Sequence, residues 1–413
     1  MALTLAQKLV ARAAGRPSVT PGEIVTCKVD LAMMHDSGGP RRVKPMLERL
    51  GAKVWDPSKV VVITDHYVPT YDDESRKIIR IARDWVREAG IDNFYDEQGI
   101  CHVVLPERGH LRPGMFAVGG DSHSPTGGAF AAYMFGIGAT EMLGVLVTGE
   151  IWLKVPHTIA MEFSGKLSNG VSAKDIMLFL IGRFGLDGGQ YQAVEYRGAA
   201  IRALPMQERM TLCNMTAELG GQTGLIASDS TTEAFLSSKI EAWESDAGAP
   251  VMAHHQFDAS SLSPQVAAPH SPANSKAVDE FKHVKPSVAY IGACTGAKLA
   301  DLRMASSVLN GRKAKMRLLV APASARDVKA AEQDGTLKIL QDAGAEFLGL
   351  GCGICAGYGG NVLGENVVAI STTARNFKGR MGAASSQVYL ASPYTVAATA
   401  VAGHVCDPRE LLQ

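Results

Sequence analysis

Charge is scarce in this chain. Only 20% of its 413 residues are Asp, Glu, Lys or Arg, and 41 basic side chains balance 41 acidic ones to a formal net charge of zero. With 46% hydrophobic residues, that scarcity excludes a disordered chain. The zero balance removes the basic footprint needed to coat a nucleic-acid backbone, so a small-molecule substrate is the expectation. Long uninterrupted apolar runs are also missing. The most lipid-like stretch, residues 129–149, contains Glu141, is rich in Gly and Ala and has no cationic flanks, so it reads as buried helix and not as a membrane span. The amphipathic start, residues 1–15, has no secretory apolar core or cleavage site. Seven cysteines, an odd number in a large chain, argue against a secreted disulfide framework and for a reducing cytoplasm.

Glycine, by contrast, is abundant. The 43 glycines gather in runs such as Gly119-Gly120, Gly127-Gly128 and Gly349-Leu350-Gly351, where a backbone turns tightly or approaches something closely. Length predicts two or three domains, and the pattern places them at 1–156, 157–285 and 286–413. In the first, β-branched runs at 59–63, 101–105 and 116–118 alternate with a helical pattern over 73–90. In the second, a strand at 159–163 precedes helical patterns near 172–184 and 206–220. Residues 246–284, rich in Ala, Ser, Pro and His, read as a linker. The third shows strand patterns at 287–291, 316–320, 345–348 and 367–370. This is an α/β architecture with parallel sheets. Functional groups in such folds follow strand carboxyl ends, where Asp65-His66 and Asp121-Ser122-His123 both fall.

Three cysteines occupy equivalent positions: Cys294, and the pair Cys352 and Cys355 in a Cys-x-x-Cys spacing. Soft thiolates suit zinc or an iron–sulfur group, and three of them leave one coordination position open. A structural zinc site, a redox pair or plain burial remain alternatives on spacing alone.

The motifs Gly120-Asp-Ser-His-Ser-Pro-Thr-Gly-Gly128, Cys213-Asn-Met-Thr-Ala-Glu218, Ile291-Gly-Ala-Cys-Thr295, Cys352-Gly-Ile-Cys355 and Ala374-Arg-Asn-Phe-Lys-Gly-Arg380 together resemble the aconitase superfamily. The likeness is greatest to the branch of 3-isopropylmalate dehydratase and homoaconitase large subunits. It implies three α/β/α domains and a [4Fe-4S] cluster held by Cys294, Cys352 and Cys355, with one iron free of protein ligands. It further implies catalytic pairs Asp65 with His66, His102 with Asp121 and His123 with Glu218. Asn214 would hydrogen-bond the cluster, while Ser122, Arg375, Arg380 and Asp36 would line the substrate. The family's fourth, swivelling domain is absent from this sequence, so the resemblance implies a separate small subunit. The expected reaction is dehydration or isomerisation of a small 2-hydroxy di- or tricarboxylate. 3-Isopropylmalate in leucine biosynthesis comes first, with homocitrate, citramalate and dimethylmalate as alternatives. Readings from other classes are a cluster-free RNA-binding relative and a structural zinc protein. Where many members have Cys-Thr-Asn-Ser, this chain has Cys294-Thr-Gly-Ala, and Ala374 stands where many have Asn, which predicts a thinner polar cage around the cysteines.

Overall fold

The computed structural model describes residues 2–412. Three sheets follow one another along the chain. The first is wholly parallel, in the order β4 (Phe94–Tyr95), β3 (Val60–Ile63), β2 (Leu31–His35), β5 (Phe116–Gly119), β6 (Tyr133–Gly136). Strands β2, β3 and β5 are buried on both faces, as a parallel sheet requires. Successive side chains point to opposite sides: Leu31, Met33, Val61, Ile63 and Ala117 join one apolar core, while Ala32, Met34, Val60, Val62, Phe116 and Val118 join another. An antiparallel ribbon of β1 (Ile24–Lys28) and β7 (Glu150–Lys154) stands beside it.

The second sheet, also parallel, runs β10 (Thr223–Leu225), β9 (Ala193–Arg197), β8 (Thr158–Ser164), β11 (Ala253–Asp258). The third has seven strands: β13 (Ser275–Ala277), β12 (Gln265–Ala267), β18 (Gln387–Ala391), β17 (Val368–Ser371), β14 (Val288–Ile291), β15 (Arg317–Val320), β16 (Ala345–Phe347). At one end β12 pairs antiparallel with both β13 and β18, and the remaining pairs are parallel.

Three expectations are corrected. Residues 101–105 are not a strand but open the helix Cys101–Glu107, whose first six residues are all buried; an apolar run without alternation carries no period that separates strand from helix. Residues 246–284 are not an irregular linker, because β11, β12 and β13 lie within them. β11 is an edge strand with alternate residues exposed, which accounts for its polar composition. Residues 129–149 are not one helix: they contain the end of a tight turn, β6 and the helix Ala139–Thr148. Among the described residues no helix is long and apolar enough to cross a membrane.

Candidate active site

Parallel strands point their carboxyl ends the same way, and here that geometry gathers the functional side chains. From the first sheet, β2 delivers His35 and Asp36, β3 delivers Asp65 and His66, and β5 delivers Asp121, Ser122 and His123. From the third, β14 leads to Cys294, β16 to Cys352 and Cys355, and β17 to Arg375 and Arg380. The helix Met206–Asn214 and the turn after it add Asn214 and Glu218.

The histidines and carboxylates form a continuous network. His66 Nδ1 lies 2.6 Å from Asp65 Oδ1, and His102 Nε2 lies 2.7 Å from Asp121 Oδ1. His123 Nε2 is 3.0 Å from Glu218 Oε1, the oxygen that also accepts from Arg375 Nε at 2.6 Å. Asp121 connects the pairs, since its Oδ1 accepts from the His123 backbone N–H and its Oδ2 is 3.9 Å from His66 Nε2. At Asp65, His66, Asp121, His123 and Glu218 burial acts against the charge, and the partners outweigh it. Burial would raise Asp65, but the imidazolium of His66 holds its carboxyl far below the ordinary range; burial would lower His66, yet Asp65 lifts it to about 10. Asp121 is lowered against burial by its bonds to His102 and His123. Glu218 is lowered against burial by Arg375 and His123, and His123 is raised against burial by Glu218.

The thiols lie within this network. All seven cysteines are free and buried. Asn214 Nδ2 donates to Cys294 Sγ at 3.2 Å and to Thr126 Oγ1 at 2.8 Å. Cys352 Sγ is 3.9 Å from Asp65 Oδ2, and the Cys352 backbone N–H donates to the Asp65 carbonyl at 2.7 Å. Burial pushes the Cys294 thiol up to about 12, with Cys355 adding to it. Cys352 is raised by burial, then by Asp65, Cys355 and Cys294, so the three sulfurs share one electrostatic neighbourhood. A bound cation would relieve what holds them protonated. Two buried oxygens of residues in this network, Asn214 Oδ1 and Glu218 Oε2, have no hydrogen-bond partner. Three free thiols near two unpartnered acceptors have the chemistry to take up a soft metal group.

Other residues take different places from those the sequence suggested. Asp36, expected beside the substrate, is fully buried, and its two oxygens accept from the backbone N–H groups of Asp65, His66 and Tyr67. It therefore fixes the turn that carries the Asp65–His66 pair. Arg380 donates through Nε to the Cys355 carbonyl at 2.8 Å and so braces the Cys-x-x-Cys loop. Ser122 is exposed, and Arg375 keeps 20% of its side chain accessible. Two lysines contribute to the polar cage around the cysteines. Lys298 Nζ donates to the Cys294 carbonyl and Thr211 Oγ1, both at 2.9 Å, and Lys174 Nζ donates to Thr295 Oγ1 and to the carbonyls of Thr372 and Thr373. His35, which precedes Asp36 at the position of the family's substrate-side polar pair and takes no role from the sequence, stacks its ring on His66 with centroids 4.1 Å apart.

Comparison with known proteins agrees with this geometry. The model of the aconitase family (aconitate hydratase) matches residues 7–286 and 274–403. The chain is 42% identical to "3-isopropylmalate dehydratase large subunit 1" of Methanopyrus kandleri over 100% of both chains. It is 44% identical to "Probable methanogen homoaconitase large subunit" of Methanosarcina mazei over 93% of this chain and 99% of that one. Among solved structures, holo-form aconitase X of Thermococcus kodakaraensis matches with a TM-score of 0.50 at 12% identity over 85% of this chain and 84% of that one, which shows a common fold. The family match along almost the whole chain and the full-length relatives lead to one conclusion: the chain belongs to the aconitase family, whose members are hydro-lyases.

Proposed function

We propose that the chain is the large, cluster-bearing subunit of a dehydratase that isomerises 3-isopropylmalate through loss and re-addition of water. The observation that carries this reading is the meeting, at one set of strand ends, of three free buried thiols with three histidine–carboxylate pairs. Cys294, Cys352 and Cys355 are the residues that would hold a [4Fe-4S] group. When bound, that group supplies a Lewis acid able to polarise the C–O bond of a hydroxy acid.

The chain's own residues do the remaining work. Arg375, oriented by Glu218, offers its free guanidinium nitrogens to a substrate carboxylate. His66 carries a proton that Asp65 stabilises, ready for a departing hydroxide. His102 and His123, both fixed on Asp121, hold their tautomers and orient water beside it. The proton removed from carbon needs a base from elsewhere, and a separate small subunit is the source this reading requires. Relatives called large subunits, matched over their full length, support such a partner. Seven free buried thiols fit a reducing cytoplasm.

A second reading, homoaconitase, is favoured by the 44% identity to the Methanosarcina mazei protein of that name. Anaerobic reconstitution with a small subunit, assayed on 3-isopropylmalate, homocitrate, citramalate and dimethylmalate, separates the two. Turnover of 3-isopropylmalate far above the others is expected. Preference for homocitrate would transfer the assignment, and full turnover without any small subunit would refute the divided site.

A further inference from the structure

Two lysines are buried completely in this molecule, and they are buried differently. Lys298 is ion-paired, with Nζ 2.7 Å from Asp301 Oδ2. Lys174, the second residue of the helix Ala173–Phe184, is 1% exposed and has no carboxylate within ion-pair distance among the described residues. Its three N–H groups are all used, on Thr295 Oγ1 at 3.2 Å and on the Thr372 and Thr373 carbonyls at 2.6 Å each. Hydrogen bonding is therefore complete, while the charge is not compensated. An uncompensated buried cation is costly and needs a reason to persist. Burial pushes Lys174 down to about 8, and the groups that act in the opposite direction are Glu218, Cys294 and Cys355.

The acceptors supply the second half of the observation. Thr295 directly follows Cys294, and Thr372 and Thr373 lead into Arg375. One ammonium from the second sheet's helix thus joins a thiol-bearing loop to the loop that carries the carboxylate-binding arginine.

We propose that Lys174 is a positioning residue that locks the Cys294 loop to the Arg375 loop and provides the counter-charge for the cysteine thiolates once they hold an iron–sulfur group. This rests on the cluster reading given above. The side chain would then couple cofactor retention to substrate binding without touching either the metal or the substrate.

The test compares full-length wild type, Lys174→Met and Lys174→Arg, each reconstituted anaerobically with iron and sulfide. Iron release to a chelator, the midpoint potential of the bound group and thermal unfolding of the iron-free chains are measured. Lys174→Met is expected to fold, iron-free, and to unfold close to the wild-type temperature, because removal of an uncompensated charge offsets the loss of its three hydrogen bonds. It should nevertheless hold iron roughly 10- to 100-fold more weakly, the usual effect of losing a partner just outside a metal's own ligands, and shift the midpoint potential to more negative values. Lys174→Arg should recover most of the retention. Iron retention unchanged in Lys174→Met, no recovery by Arg, or an iron-free Met variant that fails to fold would each overturn the proposal, the last by showing a purely structural role. A wild-type chain that takes up no iron and sulfide would instead overturn the cluster reading, and the role of Lys174 with it.

Discussion

The Cys294 loop is braced from several directions, by Asn214 on its sulfur, Lys298 on its carbonyl and Lys174 on the adjacent threonine, whereas the Cys352–Cys355 loop is held chiefly through backbone. In the latter, the Asp65 carbonyl accepts from Cys352 and Arg380 reaches the Cys355 carbonyl, while glycines stand at 349, 351, 353, 357, 359 and 360. One half of the thiol set is preformed by side chains from three elements. The other is a glycine-rich clip, seated on Asp65 and Arg380 through backbone bonds. The substrate-side groups divide likewise: Glu218, His123 and Arg375 belong with the braced half, and Asp65 and His66 with the clip.

The largest effect should come from the braced half. Glu218→Gln keeps the shape but removes the charge that His123 and Arg375 share, so kcat/KM of the assembled enzyme should fall by roughly 10²- to 10⁴-fold, the range typical of a positioned acid–base group. Iron content should stay at the wild-type level, and steady-state kinetics beside iron analysis checks both. A loss of iron equal to the loss of activity would place Glu218 in cofactor retention instead.

Loading with iron and sulfide should alter the clip more than the braced loop. Amide hydrogen exchange at 352–358 is expected to slow by ~100-fold, and at 294–297 by less than ~10-fold, because fewer side-chain bonds oppose local opening of the former. Equal protection of both loops would remove the distinction.

Two glycine substitutions resolve the clip further. Gly351 has φ +135°, and a Cβ there would lie 2.5 Å from the Asp65 carbonyl oxygen; Gly353 has φ +43°, and its Cβ would meet nothing within 4 Å. Gly351→Ala should therefore destabilise the chain by about 1–3 kcal/mol and weaken iron retention, since strain and collision act together. Gly353→Ala should cost about 1–2 kcal/mol through backbone conformation alone. Urea unfolding midpoints rank the two, and the reverse order would contradict the seating of the clip on Asp65.

The smallest effect lies away from both halves, where Glu107, at the end of the helix that presents His102, accepts from Ser324. Burial, followed by the nearby Asp327, raises this carboxyl from 4.5 to about 7. The folded state thus binds the proton more tightly than the unfolded one, so this group costs stability progressively as pH rises from about 4.5 through about 7. Glu107→Gln should melt at a higher temperature than wild type at pH 8 and close to it at pH 4.5. A difference independent of pH would show that the carboxyl is not raised.

How far these two halves were legible beforehand depended on what kind of signal each residue leaves. The strand ends carrying Asp65, Asp121, Cys294 and Cys352 were readable because β-branched runs stop at glycine or polar turns. The helix that presents His102 was not, since its wholly buried surface erases periodicity. Within 246–284, β11 was hidden by its edge position and polar face, and β12 and β13 by being only three residues long. Lys174 was also invisible: a lysine near a helix start normally implies solvent, and only the packing of the second sheet's helix against the third sheet's loops gives its charge a task. Asp36 was found by position but misread in action, because backbone acceptors leave no mark on side-chain patterns.

The most direct test is iron and acid-labile sulfide analysis of the anaerobically reconstituted wild type beside Cys294→Ser, Cys352→Ser, Cys355→Ser and Cys406→Ser. Equal iron and sulfide in wild type and Cys406→Ser, with loss from the other three, is the predicted result. Zinc without sulfide, or identical iron in all five proteins, would contradict it.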